Sequence, residues 1–229
     1  MKRIFTLMAI AIAFTATISA QKLQYGIEAG LDLNKLSVPS SYQEAITNAK
    51  STDNQLGYFV GPKIKFLTLI GLGFDAAVLY NWKKSTFENT SIENINGIDY
   101  NVTRSKTKNM NYLVVPINLR YQFNLLGSKL GIYATAGPQW SLFIGDRDLS
   151  WNSITNGALE ETASATFKQN TISANLGAGI MLLSHLQVGF TYNFPLTDNG
   201  EMTFKYDNVN SVKENFKNNT WQIRLNYYF

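Results

Sequence analysis

Seven charged residues lie on faces that the sequence pattern predicts to be the polar sides of β-strands. They are Glu28, Asp32, Lys63, Lys65, Asp75, Arg120 and Arg224. Carboxylates of this kind could act as a general acid and base, but no nucleophile or substrate-binding motif accompanies them. Because an unpaired charge is costly to bury, mixed signs on one face favour charges that pair with one another. We interpret the seven as a structural charge network, with an ion or proton path as the functional alternative.

The remaining residues that could take part in catalysis or metal binding give weaker signals. His185 is the only histidine, in a predicted Ser184–His185 turn, whereas a Ser-His-Asp hydrolase would need it beside an orienting acid. One histidine without any cysteine disfavours a zinc site. Asp146 and Asp148 could offer oxygens to calcium, yet two carboxylates at i and i+2 fall short of a complete loop signature. The sequence therefore predicts no catalytic residues, no metal and no cofactor.

The first residues predict that the chain is secreted, and the composition restricts its partners and its covalent chemistry. Lys2 and Arg3 precede a short apolar run that ends at Ser19–Ala20, the layout of a secretory signal peptide, predicted over residues 1–20. Its removal leaves 18 basic and 16 acidic residues, a balance that gives no case for nucleic acid as a partner. The absence of cysteine excludes disulfides and thiolate metal sites. Residues 21–229 are predicted to form one β-rich domain.

The closing residues carry the clearest strand pattern. Apolar and aromatic side chains alternate there with polar ones, at Trp221, Ile223, Leu225, Tyr227 and Phe229. A strand of about ten residues with an apolar face that has aromatics at both ends matches the dimensions of a transmembrane β-strand. We expect the terminal aromatic residue to be part of the fold rather than a loose end.

The same alternation recurs in seven earlier segments. The predicted strands are residues 23–34, 55–66, 70–82, 112–123, 130–142, 171–182, 186–194 and 220–229. Tight turns alternate with stretches of 18, 19, 21 and 20 residues, at 37–54, 89–107, 145–165 and 197–216. Structureless stretches of this length argue against a compact soluble domain, but long extracellular loops opposite short periplasmic turns are typical of outer-membrane barrels. The sequence predicts an all-β, eight-stranded antiparallel up-and-down transmembrane barrel with four long extracellular loops.

The sizes of the side chains indicate which face points inward. Glycines concentrate on the polar face, which suits the narrow, filled interior of an eight-stranded barrel. The opposite assignment, a soluble lipocalin-like carrier of apolar ligands, would crowd residues such as Trp82 and Trp140 into the interior. Aromatic residues on the apolar face form two sets, one at each end of the strands, as membrane interfaces select. Pro62, Pro116 and Pro138 within predicted strands are expected to mark bulges or lost hydrogen bonds.

Four short motifs carry a resemblance to a known family. They are Tyr-Gly-Ile-Glu-Ala-Gly-Leu at 25–31, Val-Pro-Ile at 115–117, Ala-Gly-Pro at 136–138 and Tyr-Tyr-Phe at 227–229. With them the whole mature chain resembles the small outer-membrane β-barrel proteins of Gram-negative bacteria, in particular the porin-family, PorT-like group. The resemblance implies insertion by the barrel-assembly machinery, which would recognise the terminal Phe229 strand. It implies no single activity.

The function predicted from these features is non-enzymatic. We expect a monomeric barrel in the outer membrane, surrounded by its lipid, with a filled lumen and with exposed loops that contact a partner or surface ligand. Tyr100, Trp151 and Tyr206 in these loops are compatible with recognition. A narrow porin-like channel for small solutes or ions is the first alternative, and the lipocalin-like carrier is the second.

Overall fold

The computed structural model describes residues 22–37, 55–95, 98–126, 129–155, 158–205 and 211–229. The predicted signal peptide and all but the first residue of the loop predicted over 37–54 lie outside them. Among the described residues, no helix is long and apolar enough to span a membrane. The strands are β1 (Lys22–Ser37), β2 (Gln55–Leu67), β3 (Leu72–Ala77), β4 (Leu79–Ile95), β5 (Ile98–Asn124), β6 (Leu130–Ile144), β7 (Asp148–Thr155), β8 (Ala158–Phe167), β9 (Asn170–Leu182), β10 (Leu186–Pro195), β11 (Gly200–Lys205) and β12 (Ser211–Tyr228).

The wall of the molecule is a closed antiparallel ring. Its order is β1, β2, β3 together with β4, β5, β6, β9, β10 and β12, and β12 pairs again with β1. The closing ladder runs from Gly26 opposite Tyr228 to Ser37 opposite Lys217. Since β3 and β4 occupy one position in succession, the ring has eight strands, and the predicted eight-stranded barrel is confirmed. Closure gives each strand a hydrogen-bonded neighbour on both sides, as a wall in hydrocarbon requires.

The strands of the ring turn polar side chains inward and apolar side chains outward. Glu28 on β1 is fully buried, whereas its neighbours Tyr25 and Ile27 are 60% and 49% exposed. Trp82 and Trp140 also lie on the outside, 39% and 40% exposed. This arrangement is the inverse of a water-soluble carrier and suits hydrocarbon around the barrel. The lipocalin-like alternative is therefore wrong, because the apolar face points away from the interior.

Outward aromatic residues lie at both ends of the ring. We call one the short-turn end, where the turns at 68–71 and 183–185 connect strands, and the other the hairpin end. At the short-turn end are Tyr25, Phe66, Phe74, Tyr121, Phe123, Tyr227 and Phe229, and at the hairpin end are Tyr58, Tyr80, Trp82, Trp140, Tyr192, Phe194 and Trp221. Neighbouring rings touch within each set, as in the 4.7 Å separation of the Tyr192 and Trp221 centroids. Two such belts match the two interfaces of a bilayer.

Three of the four stretches predicted as loops contain paired strands, so their interpretation as structureless was wrong. The β4–β5 ladder continues through the stretch 89–107 up to Ile95 opposite Ile98. The stretches 145–165 and 197–216 hold β7, β8, β11 and the first part of β12, paired in the order β7–β8–β11–β12. We call these four segments the wall extension, because they continue strands β6, β9, β10 and β12 of the ring. Strand pairing satisfies the backbone hydrogen-bonding groups of the wall extension. Its side chains need not alternate between apolar and polar, because no lipid faces these segments.

Three prolines interrupt the ladder at neighbouring points of the wall. Pro62 on β2 faces Val78, between β3 and β4, where the Val78 N–H donates to the Pro62 carbonyl at 3.1 Å. Pro116 on β5 and Pro138 on β6 fall at the next gaps around the ring. The register is the same on both sides of each gap. Of the two predicted outcomes, the prolines therefore cause lost hydrogen bonds rather than bulges.

The glycines before two of these prolines allow a backbone carbonyl of the neighbouring strand to approach closely. A Cβ atom on Gly61 would lie 1.9 Å from the carbonyl oxygen of Val78, and one on Gly137 would lie 2.1 Å from that of Ile117. The register places these carbonyls opposite Pro62 and Pro138. Because proline has no N–H group, neither carbonyl receives the hydrogen bond that another residue would donate there. The bare Cα of glycine lets each carbonyl make a Cα–H···O contact instead.

Candidate functional site

The seven charged residues singled out in the sequence all lie inside the barrel. Each is at most 5% exposed: Glu28, Asp32, Lys63, Lys65, Asp75, Arg120 and Arg224. They come from β12, β1, β2, β3 and β5, which are consecutive around the ring. One side of the lumen therefore carries the charges, and β6, β9 and β10 face it mainly with amides, hydroxyls and glycines.

Five of the seven form a chain of alternating charge, which we call the ion chain. Arg224 Nη1 lies 3.0 Å from Glu28 Oε1, and Lys63 Nζ lies 2.5 Å from Glu28 Oε2. Lys63 Nζ is also 3.5 Å from Asp75 Oδ1, and Arg120 Nη1 is 3.2 Å from Asp75 Oδ2. Each carboxylate thus touches two cations, which offsets the cost of removing it from water.

Each cation of the ion chain lies directly opposite a glycine on a neighbouring strand. The pairs are Lys63 with Gly26, Arg224 with Gly30, and Arg120 with Gly73. An added Cβ at each of these glycines would first meet a backbone carbonyl oxygen, which is that of Tyr227 at 2.3 Å for Gly26, of Ile223 at 2.2 Å for Gly30 and of Phe66 at 1.9 Å for Gly73. The close approach of neighbouring backbones therefore requires a glycine opposite each cation of the ion chain.

Neutral groups add hydrogen bonds to the ion chain. Asn118 Nδ2 donates to Asp75 at 3.1 Å, and both Nε and Nη2 of Arg224 donate to Gln222 Oε1. The guanidinium carbon of Arg120 lies 3.8 Å from the centroid of the Tyr133 ring, a cation–π contact. Among the described residues Arg120 Nε has no hydrogen-bond partner, so the guanidinium is held by Asp75, Gln122 and the Tyr133 ring.

The other two of the seven are Lys65 and Asp32. Lys65 lies opposite Asp75 in the β2–β3 register, and its Nζ is 4.0 Å from the centroid of the Tyr228 ring. Asp32 is nearer the hairpin end, where it accepts hydrogen bonds from Gln222 Nε2, at 2.8 Å, and from Asn81 Nδ2. Of the residues that the sequence grouped together, five therefore form the ion chain, and Asp32 lies beyond it towards the hairpin end.

Above the ion chain lie an apolar layer, on the side of the lumen formed by β2, β3, β4 and β5, and then a polar cavity. The sequence indicated neither. Phe59, Ala77, Leu79 and Val114 form the layer, and each is at most 5% exposed. Along the wall, Leu79 lies between Asp75 of the ion chain and Asn81 of the cavity. The cavity has a volume of about 50 Å³. Its lining includes Asp32, Asn81, Lys83, Ser141, Ser173 and Gln222.

An aromatic cluster lies where the ring meets the wall extension. The Phe143 and Phe167 rings stack at 5.7 Å, Phe167 meets Phe216 edge-on at 5.6 Å, and Tyr112 meets Phe143 edge-on at 4.9 Å. All three phenylalanines are at most 4% exposed. Phe167 and Phe216 are isolated aromatics next to polar stretches, so no local pattern revealed that they pack together.

Comparison with known proteins agrees with this geometry. The family model for the outer membrane protein beta-barrel domain matches residues 5–229. The chain belongs to this family. As predicted, this β-barrel protein resides in the outer membrane. No curated protein sequence matches it significantly.

Solved structures with the same kind of fold are only distantly similar to this outer-membrane barrel. Ail, the attachment invasion locus protein of Yersinia pestis, solved with the heparin analogue sucrose octasulfate, is 12% identical, with a TM-score of 0.40, over 91% of this chain and 99% of that one. OprG from Pseudomonas aeruginosa is 11% identical, with a TM-score of 0.43, over 91% and 95%. Neisserial surface protein A is 12% identical, with a TM-score of 0.37, over 90% and 97%.

The closing strand of this outer-membrane barrel sits in the wall with its predicted apolar residues turned outward. Trp221, Leu225, Tyr227 and Phe229 are exposed to the surroundings, and Ile223 is half-buried. The Phe229 N–H donates to the Tyr25 carbonyl at 2.9 Å, and the Tyr227 and Phe229 rings meet edge-on at 5.6 Å. The last residue is therefore held by backbone and ring contacts.

Deletion of Phe229, or its replacement by aspartate, is expected to lower the amount of assembled barrel several-fold. Deletion removes the hydrogen bond to Tyr25, and aspartate puts a charge on the lipid-facing surface. Heat-modifiable protein in the outer-membrane fraction measures the effect on gels run with and without boiling. Phe229→Leu, which keeps the backbone bond and an apolar side chain, is the control. Wild-type levels of the deletion variant would contradict the role predicted for the terminal strand.

The remaining candidates lie at opposite ends of the ring, His185 at the short-turn end and Asp146 and Asp148 at the hairpin end. His185 lies exposed in the predicted turn, with Nδ1 2.6 Å from the Leu183 carbonyl oxygen. Asp146 Oδ1 accepts from the Asp148 N–H at 3.2 Å, and Lys108 Nζ lies 3.7 Å from Asp146 Oδ2. Within the described ranges, no group of three or more histidine, cysteine or acidic residues could hold a metal ion.

Proposed function

We propose that this protein is a non-enzymatic outer-membrane barrel with a filled, non-conducting lumen. On this proposal its hairpin end contacts a partner or surface ligand. The observation that carries the proposal is the ion chain, whose carboxylates Glu28 and Asp75 each touch two cations deep inside the barrel. Phe59 and Leu79 add an apolar layer above it. An ion in transit would have to break these pairs and then lose its hydration shell beside apolar side chains, so the lumen is a seal.

The proposed orientation puts the hairpin end outside the cell. Outer-membrane barrels place their short turns in the periplasm and their long connections outside. The β4–β5 hairpin and the wall extension both project from one end of the ring, and the short turns lie at the other. Paired strands give a more rigid surface for a partner than structureless loops do.

The same reasoning extends to assembly and to the partners of the barrel. Because one chain completes the hydrogen-bonded ring, we propose a monomer with outer-membrane lipid around its aromatic belts. The motifs at 25–31 and 227–229 support the PorT-like group within the family and insertion by the barrel-assembly machinery. We propose residues 1–20 as a cleaved signal peptide.

Conductance in planar bilayers tests the filled lumen. The wild-type protein is expected to show no channel openings, whereas Asp75→Ala and Arg120→Ala should produce them, because each leaves a void beside an unpaired charge. Lys168→Ala is the control, since Lys168 is 47% exposed and pairs with Asp198 at 3.5 Å on the surface. Discrete openings in the wild type would refute the seal.

A narrow channel is the second candidate function. The polar cavity supports this candidate. It is a space of about 50 Å³ at the hairpin end of the lumen, where the outer half of a solute path would lie. The ion chain and the apolar layer would then have to act as a gate. Wild-type openings that disappear in the double variant Phe59→Trp, Val114→Leu would favour this candidate, because both substitutions thicken the apolar layer.

A further inference from the structure

All three connections at the short-turn end carry apolar side chains at their tips. Leu69 and Ile70, between β2 and β3, are 82% and 75% exposed. Leu126, after β5, and Leu183, between β9 and β10, are 65% and 69% exposed. Together with Phe229 they are the most exposed large apolar side chains in the part of the chain that the structure describes. Turns in water favour small and polar residues, so these tips call for apolar surroundings.

The two aromatic sets on the outside of the ring differ in composition. Six of the seven residues at the hairpin end are tryptophan or tyrosine, with Phe194 as the exception. Four of the seven at the short-turn end are phenylalanine: Phe66, Phe74, Phe123 and Phe229. Tryptophan and tyrosine favour a membrane interface because one end of the ring is polar, and phenylalanine has no such group. The set at the hairpin end therefore marks an interface, and the set at the short-turn end suits a deeper position in the lipid.

The height of the wall agrees with this difference. Tyr58 and Phe66 on β2 are eight residues apart, as are Trp221 and Phe229 at the end of the chain. At roughly 3.3 Å per residue and a tilt of about 45°, eight residues rise about 19 Å, whereas the apolar band of such barrels is about 25 Å tall. Leu69 and Ile70 follow Phe66 by three and four residues, which adds roughly 5–7 Å. Measured from the hairpin end, the apolar band therefore ends at the turn tips.

The backbone of these turns is prepared for surroundings with little water. The Thr68 N–H donates to the Leu72 carbonyl at 2.9 Å, and the Thr68 hydroxyl donates to the same oxygen at 2.6 Å. The Leu183 N–H donates to the Lys129 carbonyl at 2.9 Å and so links two neighbouring turns. Such internal bonds lower the cost of placing backbone groups in lipid.

The charges of the turns suit a phospholipid surface. Among the described residues of the connections at 68–71, 125–129 and 183–185, none is acidic, and Lys129 and His185 are basic. A lysine can lay its apolar stem along lipid and hold its ammonium group at the phosphates of the headgroups. Basic residues beside apolar tips therefore match the boundary between acyl chains and headgroups.

We propose that the three short connections are immersed in the periplasmic leaflet of the outer membrane, where their apolar tips contact the acyl chains of its phospholipids. The tips continue the lipid-facing wall below Phe66 and Phe123 without a polar interruption by a charged residue. Naming the leaflet rests on the proposed outward orientation of the hairpin end, whereas the immersion itself does not. The barrel then meets soluble partners only at its hairpin end.

Spin labels test the immersion, because the sequence contains no cysteine and each introduced cysteine carries the only label. Ile70→Cys, Leu126→Cys and Leu183→Cys place a nitroxide in each of the three connections of the full chain, folded in vesicles of palmitoyl-oleoyl phosphatidylethanolamine and phosphatidylglycerol. Power saturation compares collisions with oxygen, which concentrates in hydrocarbon, and with a water-soluble nickel chelate. Two further labels calibrate the scale. Leu119→Cys reports hydrocarbon, because Leu119 is 58% exposed on the outside of the wall, and Lys213→Cys reports water, because its side chain is 64% exposed on the wall extension.

We expect the oxygen-to-nickel ratio of all three connections to lie several-fold above that of Lys213→Cys and near that of Leu119→Cys. Each variant is first shown to be a heat-modifiable barrel, and Leu69→Cys replaces Ile70→Cys if the latter does not fold. A ratio at the level of Lys213→Cys in two or more connections overturns the proposal, because the tips would then lie in water, open to a periplasmic protein. Few collisions with either reagent also overturn it, since protein from a second copy would then cover the tips.

The immersion and the proposed function fail independently. Bilayer conductance reports on the seal of the lumen, which the spin labels do not touch. Reaction of Lys213→Cys with a membrane-impermeant maleimide on intact cells reports on the orientation, because only an outward hairpin end exposes this residue to the reagent.

Discussion

Replacement of Glu28 by glutamine is expected to lower the free energy of unfolding by about 3–5 kcal/mol, the usual effect of removing one partner from a buried ion pair. The amide keeps the shape of the side chain, but it leaves Lys63 and Arg224 facing a neutral group inside the lumen. Denaturant unfolding of the folded barrel in lipid vesicles, followed by tryptophan fluorescence, measures the change.

Glu201→Gln is the matched control for this substitution. Glu201 and Lys213 also make an ion pair, at 3.0 Å, but their side chains are 42% and 64% exposed. Solvent screens such a pair, so its loss should change stability by less than about 1 kcal/mol. The double variant Glu28→Gln, Lys63→Met should recover part of the loss, because it removes one charge of each sign. Equal effects of Glu28→Gln and Glu201→Gln would show that the ion chain does not stabilise the barrel.

Gly61→Ala and Gly137→Ala are expected to destabilise the barrel by about 3 kcal/mol or to prevent assembly. The new Cβ atoms would lie 1.9 Å and 2.1 Å from backbone carbonyl oxygens, so the strands themselves would have to separate. Gly57→Ala is the control, because its nearest neighbour is the Lys83 Cγ atom at 3.0 Å, on a flexible side chain that can move. That variant should cost about 1 kcal/mol or less.

The midpoint of denaturant unfolding and the yield of heat-modifiable barrel both report on these glycine variants. If Gly61→Ala and Gly57→Ala have the same midpoint, the close contact between Gly61 and Val78 is not a constraint on the wall. If only Gly137→Ala is harmful, the contact matters at β6 and not at β2. A parallel loss in both variants is the result that the two glycine–proline sequences predict.

The two faces of each strand could be predicted because successive residues face different environments. One face meets the hydrocarbon outside the barrel, and the other faces the narrow lumen. Tyr25 and Ile27 face outward and Glu28 faces inward, so period-2 alternation identified the strand and, with the size of the glycines, its orientation. The closing strand was predicted for the same reason. Its extension towards Ser211 was not, because β11 and β12 leave the ring there and no lipid boundary imposes alternation.

The partners within the ion chain could not be predicted because they depend on register between distant segments. Arg224 and Glu28 are separated by 196 positions in sequence and lie diagonally across the β1–β12 pair. Arg120 faces Gly73 in the register and yet pairs with Asp75, two residues further along β3. Composition and alternation therefore identify charges on an inward face, but the register between strands decides which carboxylate each cation meets.

The length of the β4–β5 hairpin determines how far its tip lies from the membrane. Its pairing runs from Lys84 opposite Asn109 to Ile95 opposite Ile98, a length of about 40 Å at roughly 3.3 Å per residue. With a strand tilt of about 45°, the tip stands about 30 Å from the rim of the barrel. The polar headgroup layer on one side of a bilayer is only about 5–8 Å thick. The tip of the hairpin therefore lies well clear of the lipid surface, and the proposed contact with a partner would take place there.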